Sequence, residues 1–232
     1  MPSTQTEDDG VHVRTWDLAD PGHPRETGRP VVLERNAGAS LVDRAPDGRA
    51  LAVLDGDRRV LLWDTSDPAH PRAGRSFVGD LPVFAPRGHV LAVGSTDGTV
   101  RLWDTADPAR PVALGGALDA GGSVTALAFD PAGHRLAVGT GDGLVTLYDV
   151  TDPAHATAVG DPLVGHTDEV DSLAFAPGGR SLGSGGEDGT VQLWTLEAER
   201  NVRRICAATG GALSRDQWRR HVGSLPYRDP CP

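Results

Sequence analysis

The chain has 232 residues, with 30 Gly, 18 Pro and only 5% aromatic residues, a balance that favours short strands and tight turns over long helices. A single all-β domain is therefore the expected class. The net charge of −10 argues against a nucleic-acid partner, because phosphate binding needs clustered cations. The sequence has no signal peptide and no apolar run of about 18 residues, so a cytoplasmic location without membrane contact is predicted.

A five-residue strand pattern recurs along the chain, first as VRTWD at 13–17 and last as VQLWT at 191–195. In the last four of the five copies a Pro lies 17 residues before the aromatic residue, which defines the repeat phase. Self-similarity at a period of about 40 to 50 residues is typical of propellers and solenoids. The aromatic residues are Trp16, Trp63, Trp103, Tyr148 and Trp194, and the prolines are Pro46, Pro86, Pro131 and Pro177.

The chain begins in the middle of a repeat. Residues 1–10 are polar and acidic and are predicted to be disordered, with a hairpin-turn signal at Asp8-Asp9-Gly10 before the first strand, VHVRTWD. No sequence remains for the two strands that would precede VHVRTWD in a complete unit. We therefore expect the chain to be truncated at this end.

Each later unit predicts strands separated by turns. In the unit that starts near residue 123, the runs SVTALAF, HRLAVGT and LVTLYD are followed by a polar fourth run, ATAVGDPL. Apolar character decreases in that order, as a radial blade requires when its inner strand is buried and its outer strand is an interrupted edge. Strand sets begin near residues 38, 80, 123 and 168, and the last lacks an obvious outer strand.

These motifs resemble the WD-repeat β-propeller family over about residues 11–195, with the greatest similarity to the C-terminal propeller of actinobacterial WD-repeat regulators. The resemblance implies a partial propeller of about four full blades plus part of another, in an open arc. Two alternatives stay open. The early strand PVVLE, near 30–34, could complete the last blade and close a four-blade ring, or a second copy could complete the assembly.

The same resemblance implies a hydrogen-bond network in the last unit, which supplies the family's His, Ser, turn Asp and third-strand Trp as His166, Ser184, Asp188 and Trp194. The residue types also match a hydrolytic triad, but a Ser bonded to an indole inside a blade is not an exposed nucleophile. The network is therefore interpreted as structural. The other units have Val53, Val93 and Val138 in place of the Ser and should rely more on apolar burial.

The C-terminal tail, residues 196–232, carries seven Arg against four acidic residues and should be attracted to the acidic body of the chain. A capping box at Ser214 and Gln217 predicts a short helix at about 215–222. We expect Trp218 on this helix to dock on the propeller edge, with a role as a partner anchor as the alternative.

The two cysteines, Cys206 and Cys231, lack metal-ligand spacing and are predicted to be reduced thiols. A redox clasp for the tail is the alternative.

The resulting hypothesis is a non-catalytic protein–protein interaction module, the recognition part of a bacterial regulatory or signalling protein, with no cofactor, no metal and no catalytic residue. Its protein partner is not identified by the sequence, and self-association through open propeller edges is a second mode of assembly. The alternatives are a nonfunctional remnant of a larger WD-repeat signalling NTPase and a hydrolase acting at the propeller channel. For a hydrolase, the inner strands SVTALAF and VDSLAF offer only Asp171, and we interpret Asp171, Glu187 and the Asp-Pro-Ala-His segments as solvated turn residues.

Overall fold

The computed structural model describes residues 2–7, 10–33 and 41–197, and within these ranges the chain forms five antiparallel sheets. The helical structure of the described residues is one turn of 3-10 helix at Pro153–His155. Each sheet is treated below as one blade, numbered from the N-terminus. None of the helical structure in the described ranges is long and apolar enough to cross a membrane.

The strands follow one another along the chain, blade by blade. The first blade contains β1 (Pro2–Glu7), β2 (Gly10–Asp17), β3 (Arg25–Glu26) and β4 (Val31–Leu33). The second contains β5 (Leu41–Arg44), β6 (Ala50–Leu54), β7 (Arg59–Asp64) and β8 (Arg72–Val78), and the third β9 (Leu81–Phe84), β10 (Val90–Gly94), β11 (Thr99–Asp104) and β12 (Val112–Asp119). The fourth contains β13 (Val124–Phe129), β14 (Arg135–Thr140), β15 (Leu144–Asp149), β16 (Thr157–Ala158) and β17 (Leu163–Val164). The fifth contains β18 (Val170–Phe175), β19 (Ser181–Gly186) and β20 (Val191–Thr195).

The predicted all-β fold, a partial propeller in an open arc, is confirmed. Consecutive strands pair in the order β5-β6-β7-β8, and the same order recurs in the third blade. The four predicted strand sets begin within a few residues of β5, β9, β13 and β18, and the fifth blade has three strands within the described part of the chain. No sheet of the described residues joins the first blade to the fifth.

Two expectations about the N-terminal region are wrong. Residues Pro2–Glu7, which were expected to be disordered, form β1 and pair with β2 along their whole length, so one of the two preceding strands is present. The run PVVLE contains β4, which pairs with β2 of its own blade and not with the last blade. A four-blade ring closed by PVVLE is therefore excluded, because β4 is already paired with β2 in the first blade.

The core lies between successive blades. The third strand of each of blades two to five carries a Val and a Leu on the face turned away from the preceding blade, and in blades two to four these side chains are at most 8% exposed. There they pack against the second strand of the next blade, as Val60 and Leu62 do against Leu91 and Val93. Since a strand ladder joins strands only within a sheet, contacts between side chains such as these join one sheet to the next.

Successive blades also approach each other closely at their outer strands. A Cβ on Gly28, Gly74 or Gly115 would lie closer than 3.0 Å to a backbone carbonyl oxygen of the Asp-Pro loop of the next blade. These oxygens belong to Pro68, Pro108 and Ala154, respectively. Only glycine lets the two backbones come this close.

The tail features predicted from the sequence, the helix at about 215–222 with Trp218 and the thiols Cys206 and Cys231, lie outside the described residues.

Substitution of Gly115 tests whether this close approach sets the spacing between blades. Gly115 has a φ of 64°, and an added Cβ would meet Ala154, so we expect Gly115→Ala to lower the free energy of unfolding by about 2 kcal/mol. The neighbouring Gly116 has open space around an added Cβ, so Gly116→Ala should leave stability unchanged or raise it slightly. Urea unfolding of both variants measures the difference, and equal midpoints would contradict a spacing set by Gly115.

Candidate functional site

The four polar residues singled out in the last unit lie in one hydrogen-bonded chain. His166 precedes β18, Ser184 lies on β19, Asp188 lies in the turn before β20, and Trp194 lies on β20. The indole Nε1 of Trp194 donates to Ser184 Oγ at 2.8 Å. His166 bridges the other two, with Nε2 at 2.7 Å from Ser184 Oγ and Nδ1 at 3.0 Å from Asp188 Oδ2.

The donors and acceptors of this chain assign the proton positions. Because the indole N–H of Trp194 can only donate, Ser184 Oγ accepts that bond and has its own proton free for His166 Nε2. His166 then carries its proton on Nδ1 and donates it to the carboxylate of Asp188. The hydrogen bonds between these four residues therefore run in one direction, from Trp194 through Ser184 and His166 to Asp188.

The carboxylate at the end of the chain is held in its charged form. The Thr190 hydroxyl donates to Asp188 at 2.7 Å, and the backbone N–H groups of Thr167 and Thr190 donate at 3.0 and 2.8 Å. These bonds, with the Thr190 hydroxyl first and a further bond from His166, hold the pKa of Asp188 well below its usual range. Asp188 is thus an anionic anchor for both the loop before β18 and the turn before β20.

The same geometry weighs against a hydrolytic triad. Ser184 is 2% exposed and the side chain of His166 is fully buried. A nucleophile must reach its substrate, and Ser184 Oγ is already engaged by Trp194 on one side and His166 on the other. What this arrangement can do is tie the three strands of the blade together.

Elsewhere the aromatic donors lack this acceptor. Val53 and Val93 occupy the position of Ser184 and are almost completely buried. Among the described residues, the buried indole nitrogens of Trp63 and Trp103 have no hydrogen-bond partner. Trp103 instead stacks at a tilt on Phe77, with ring centroids 4.2 Å apart. In these blades apolar contacts therefore replace the polar network, and the unpaired indole donor lowers their stability.

The fourth blade has a different solution. Val138 again replaces the Ser, but the aromatic residue is Tyr148, whose hydroxyl donates to the backbone oxygen of Asp119 at 2.6 Å. Asp119 is the last residue of β12, so this bond also ties the fourth blade to the third. A longer side chain with its donor at the tip reaches an acceptor that the indole of the other blades does not.

Sequence reasoning missed one polar cluster, at the turn between β6 and β7. Arg58 occupies the place that Gly98, Gly143 and Gly189 hold in the later units, and it has their positive φ, at 59°. Its guanidinium donates to Asp80 and to Thr96 Oγ1 of the next blade. Asp80 also accepts the backbone N–H of Thr96 at 2.9 Å, and the bond from Arg58 holds the pKa of Asp80 below its usual value. The signal in the sequence was an Asp-Arg where the repeat otherwise has Asp-Gly.

A carboxylate on an inner strand was also missed. Asp43 lies on β5, and burial raises its pKa, although it accepts backbone N–H bonds from Phe84 at 2.7 Å and from Arg44 at 2.9 Å. Phe84 ends β9, so Asp43 joins the inner strands of the second and third blades. The bonding of Asp43 to two backbone donors indicates a structural role.

The surface residues considered as contacts are placed on two opposite ends of the blades. Asp171 and Glu187 are exposed at the end that carries the turns between second and third strands. The Asp-Pro loops lie at the other end, where the exposed His70 and His155 lie 3.0 and 2.8 Å from Asp67 and Asp152 of their own loops. His23 pairs with Asp20 in the same way.

Removing the central acceptor tests how much the network stabilises the fifth blade. Ser184→Ala leaves the indole N–H of Trp194 and Nε2 of His166 buried without their partner, so we expect a loss of about 2 kcal/mol in the free energy of unfolding. Thr157→Ala, at an exposed position on the outer strand of the fourth blade, is the control and should be neutral. Equal urea midpoints for the two variants would show that the network contributes nothing measurable.

The depressed pKa of Asp188 predicts a dependence of stability on acid. Since the folded pKa lies below that of the unfolded chain, Asp188 stabilises the native state above about pH 4, and this contribution is lost as the pH falls further. Asp188→Asn should therefore lose less stability than the parent protein between about pH 4 and pH 2. Chemical unfolding at several pH values measures both slopes. Asp171→Asn, an exposed carboxylate of the same blade, is the control and should keep the parent slope.

Comparison with known proteins agrees with this architecture. The family model "WD domain, G-beta repeat" matches residues 68–104, 115–149 and 159–195. Each match begins within a few residues of the start of an outer strand and ends on the third strand of the next blade. No curated protein matches the sequence.

Two solved structures share the fold at low sequence identity. The computationally designed Ika4 protein is 21% identical, with a TM-score of 0.57, and the alignment covers 72% of this chain and 96% of that one. A chain from a crystal structure of the mitotic checkpoint complex is 22% identical, with a TM-score of 0.61, and the alignment covers 83% of this chain and 56% of that one. This chain thus spans little more than half of the checkpoint chain. The described residues form a partial β-propeller that carries WD40 repeats in three places.

Proposed function

We propose that the chain is a non-catalytic protein–protein interaction module and serves as the recognition part of a bacterial regulatory or signalling protein. The observation that supports this most is how the polar residues are used. His166, Ser184 and Asp188, which have the residue types of a catalytic triad, are bonded to one another and to Trp194 inside a blade. What remains for contact is the exposed loops at both ends of a packed scaffold, a common place for binding residues.

WD40 repeats and the fold shared with a chain of the mitotic checkpoint complex support a role in assembly in general terms. The two ends of the blades offer different chemistry to a partner. The turn end presents the acidic Asp171 and Glu187, and the loop end presents Arg110 and His155. A partner that binds one end should be insensitive to changes at the other.

Capture experiments with matched variants test this proposal. The full chain, immobilised and exposed to native extract at physiological salt, should retain a defined partner. That partner should be lost from either Asp171→Ala with Glu187→Ala or Arg110→Ala with His155→Ala, and kept by the other pair. Repeated recovery of nothing above a blank resin would contradict an interaction module.

The catalytic alternative is tested in parallel by hydrolysis of simple ester and phosphate-ester substrates. We expect no turnover that depends on Ser184. A rate that disappears in Ser184→Ala, in a variant that is still folded by circular dichroism, would replace the proposal with an enzyme.

A further inference from the structure

The fifth blade differs from the others in one face. In blades two to five the third strand presents a homologous Val and Leu on the face turned away from the preceding blade, here called the trailing face. In blades two to four these side chains are between 0 and 8% exposed, whereas Val191 is 82% exposed and Leu193 is 77% exposed on β20. The buried pairs are Val60 and Leu62, Val100 and Leu102, and Val145 and Leu147.

The exposure differs because the trailing faces of blades two to four are each covered by the next blade. Val145 and Leu147 pack against Leu182 of the fifth blade and against Trp194, which is partly buried there. Within the described part of the chain no further blade follows β20, so Val191 and Leu193 keep the apolar chemistry of a covered face without the cover. Ser172 on the inner strand of this blade is exposed too, whereas Ala126, its counterpart in the fourth blade, is buried. The open face therefore extends across the blade, and an exposed apolar surface of this kind marks a docking site.

We infer that the C-terminal segment of this chain, residues 198–232, covers the trailing face of the fifth blade. The described chain ends at Glu197, two residues beyond β20, so this segment starts next to the face. It contains 35 residues, among them the apolar Ile205, Leu213 and Trp218. That length is close to one repeat unit, enough to cross a three-stranded sheet.

Charge complementarity favours the same occupant. Residues 198–232 carry seven Arg and three acidic residues, whereas residues 159–195 carry six acidic residues and one Arg. The apolar β20 within this acidic unit is complementary, in both charge and hydrophobicity, to a basic segment that also contains apolar residues.

A second copy of the chain fits the face less well. A copy that continued the arc head to tail would bring up its first blade, where β2 carries an ion pair between Arg14 and Glu26 with a nitrogen–oxygen distance of 3.3 Å. In the second blade the counterpart of Arg14 is Leu61, which packs against the first blade. A head-to-tail interface between two copies would therefore lack the apolar contact that joins blades within the chain.

Cross-linking in the full chain tests the assignment, because Cys206 and Cys231 lie in the proposed cover. Leu193→Cys, treated with a short bismaleimide and mapped by peptide mass spectrometry, should join position 193 to one of these thiols within a monomer. Val78→Cys is the control, since Val78 is 79% exposed on the outer strand of the second blade. Equal intramolecular yields at positions 193 and 78, no yield at either, or a cross-linked dimer through position 193 would each overturn the inference, the dimer in favour of a second copy.

A charge placed on the face is an independent test. Leu193→Asp should lower the melting temperature by several degrees more than Val78→Asp and should speed tryptic cleavage at Arg200, Arg203 and Arg204. Leu193→Ala replaces Leu193→Asp if the latter does not fold, with the same comparison against Val78→Ala. Equal melting temperatures and equal cleavage rates for positions 193 and 78 would overturn the inference.

Discussion

In blades two to four, burial of one Val and one Leu of the third strand by the blade that follows is the interaction on which the arc depends. Strand ladders hold each sheet together but do not connect one sheet to the next. The connection is made where third-strand side chains such as Val100 and Leu102 pack against Leu136 and Val138 of the following blade. Because such contacts are apolar and non-directional, they tolerate loops of different length and sequence between the strands.

The blades differ in how they treat the aromatic residue of the third strand. In the fifth blade Trp194 donates into a network that ends on an anionic Asp188. In the second and third blades the same indole donor is buried against Val and finds no acceptor among the described residues. A buried donor without a partner costs free energy that a local opening to water recovers. We therefore expect hydrogen exchange of the strand amides to be slower in the fifth blade than in the second and third blades, when each is compared at equal buried apolar area.

The sequence predicted the parts of the fold that depend on a repeated spacing. The phase given by the prolines and the aromatic residues placed β5, β9, β13 and β18 within a few residues of their observed starts. The repeat spacing did not predict the strands outside the repeat. β1 has a polar sequence, and β4 pairs with β2, which precedes it in the same blade. Contacts between blades were also not predicted from the repeat spacing. The bond from Arg58 to Asp80, for example, joins residues of different units. Spacing within a unit does not tell which loops of neighbouring units meet.

Main-chain geometry sets the step between the first four blades at the rim of the arc, where Gly28, Gly74 and Gly115 each meet a carbonyl of the following Asp-Pro loop. No side chain has to be matched across that junction. In a gene built of such units, unequal recombination could add or remove a whole blade and leave each new junction with the same backbone fit. The number of blades is therefore a property that such recombination can change while the shape of each blade stays the same.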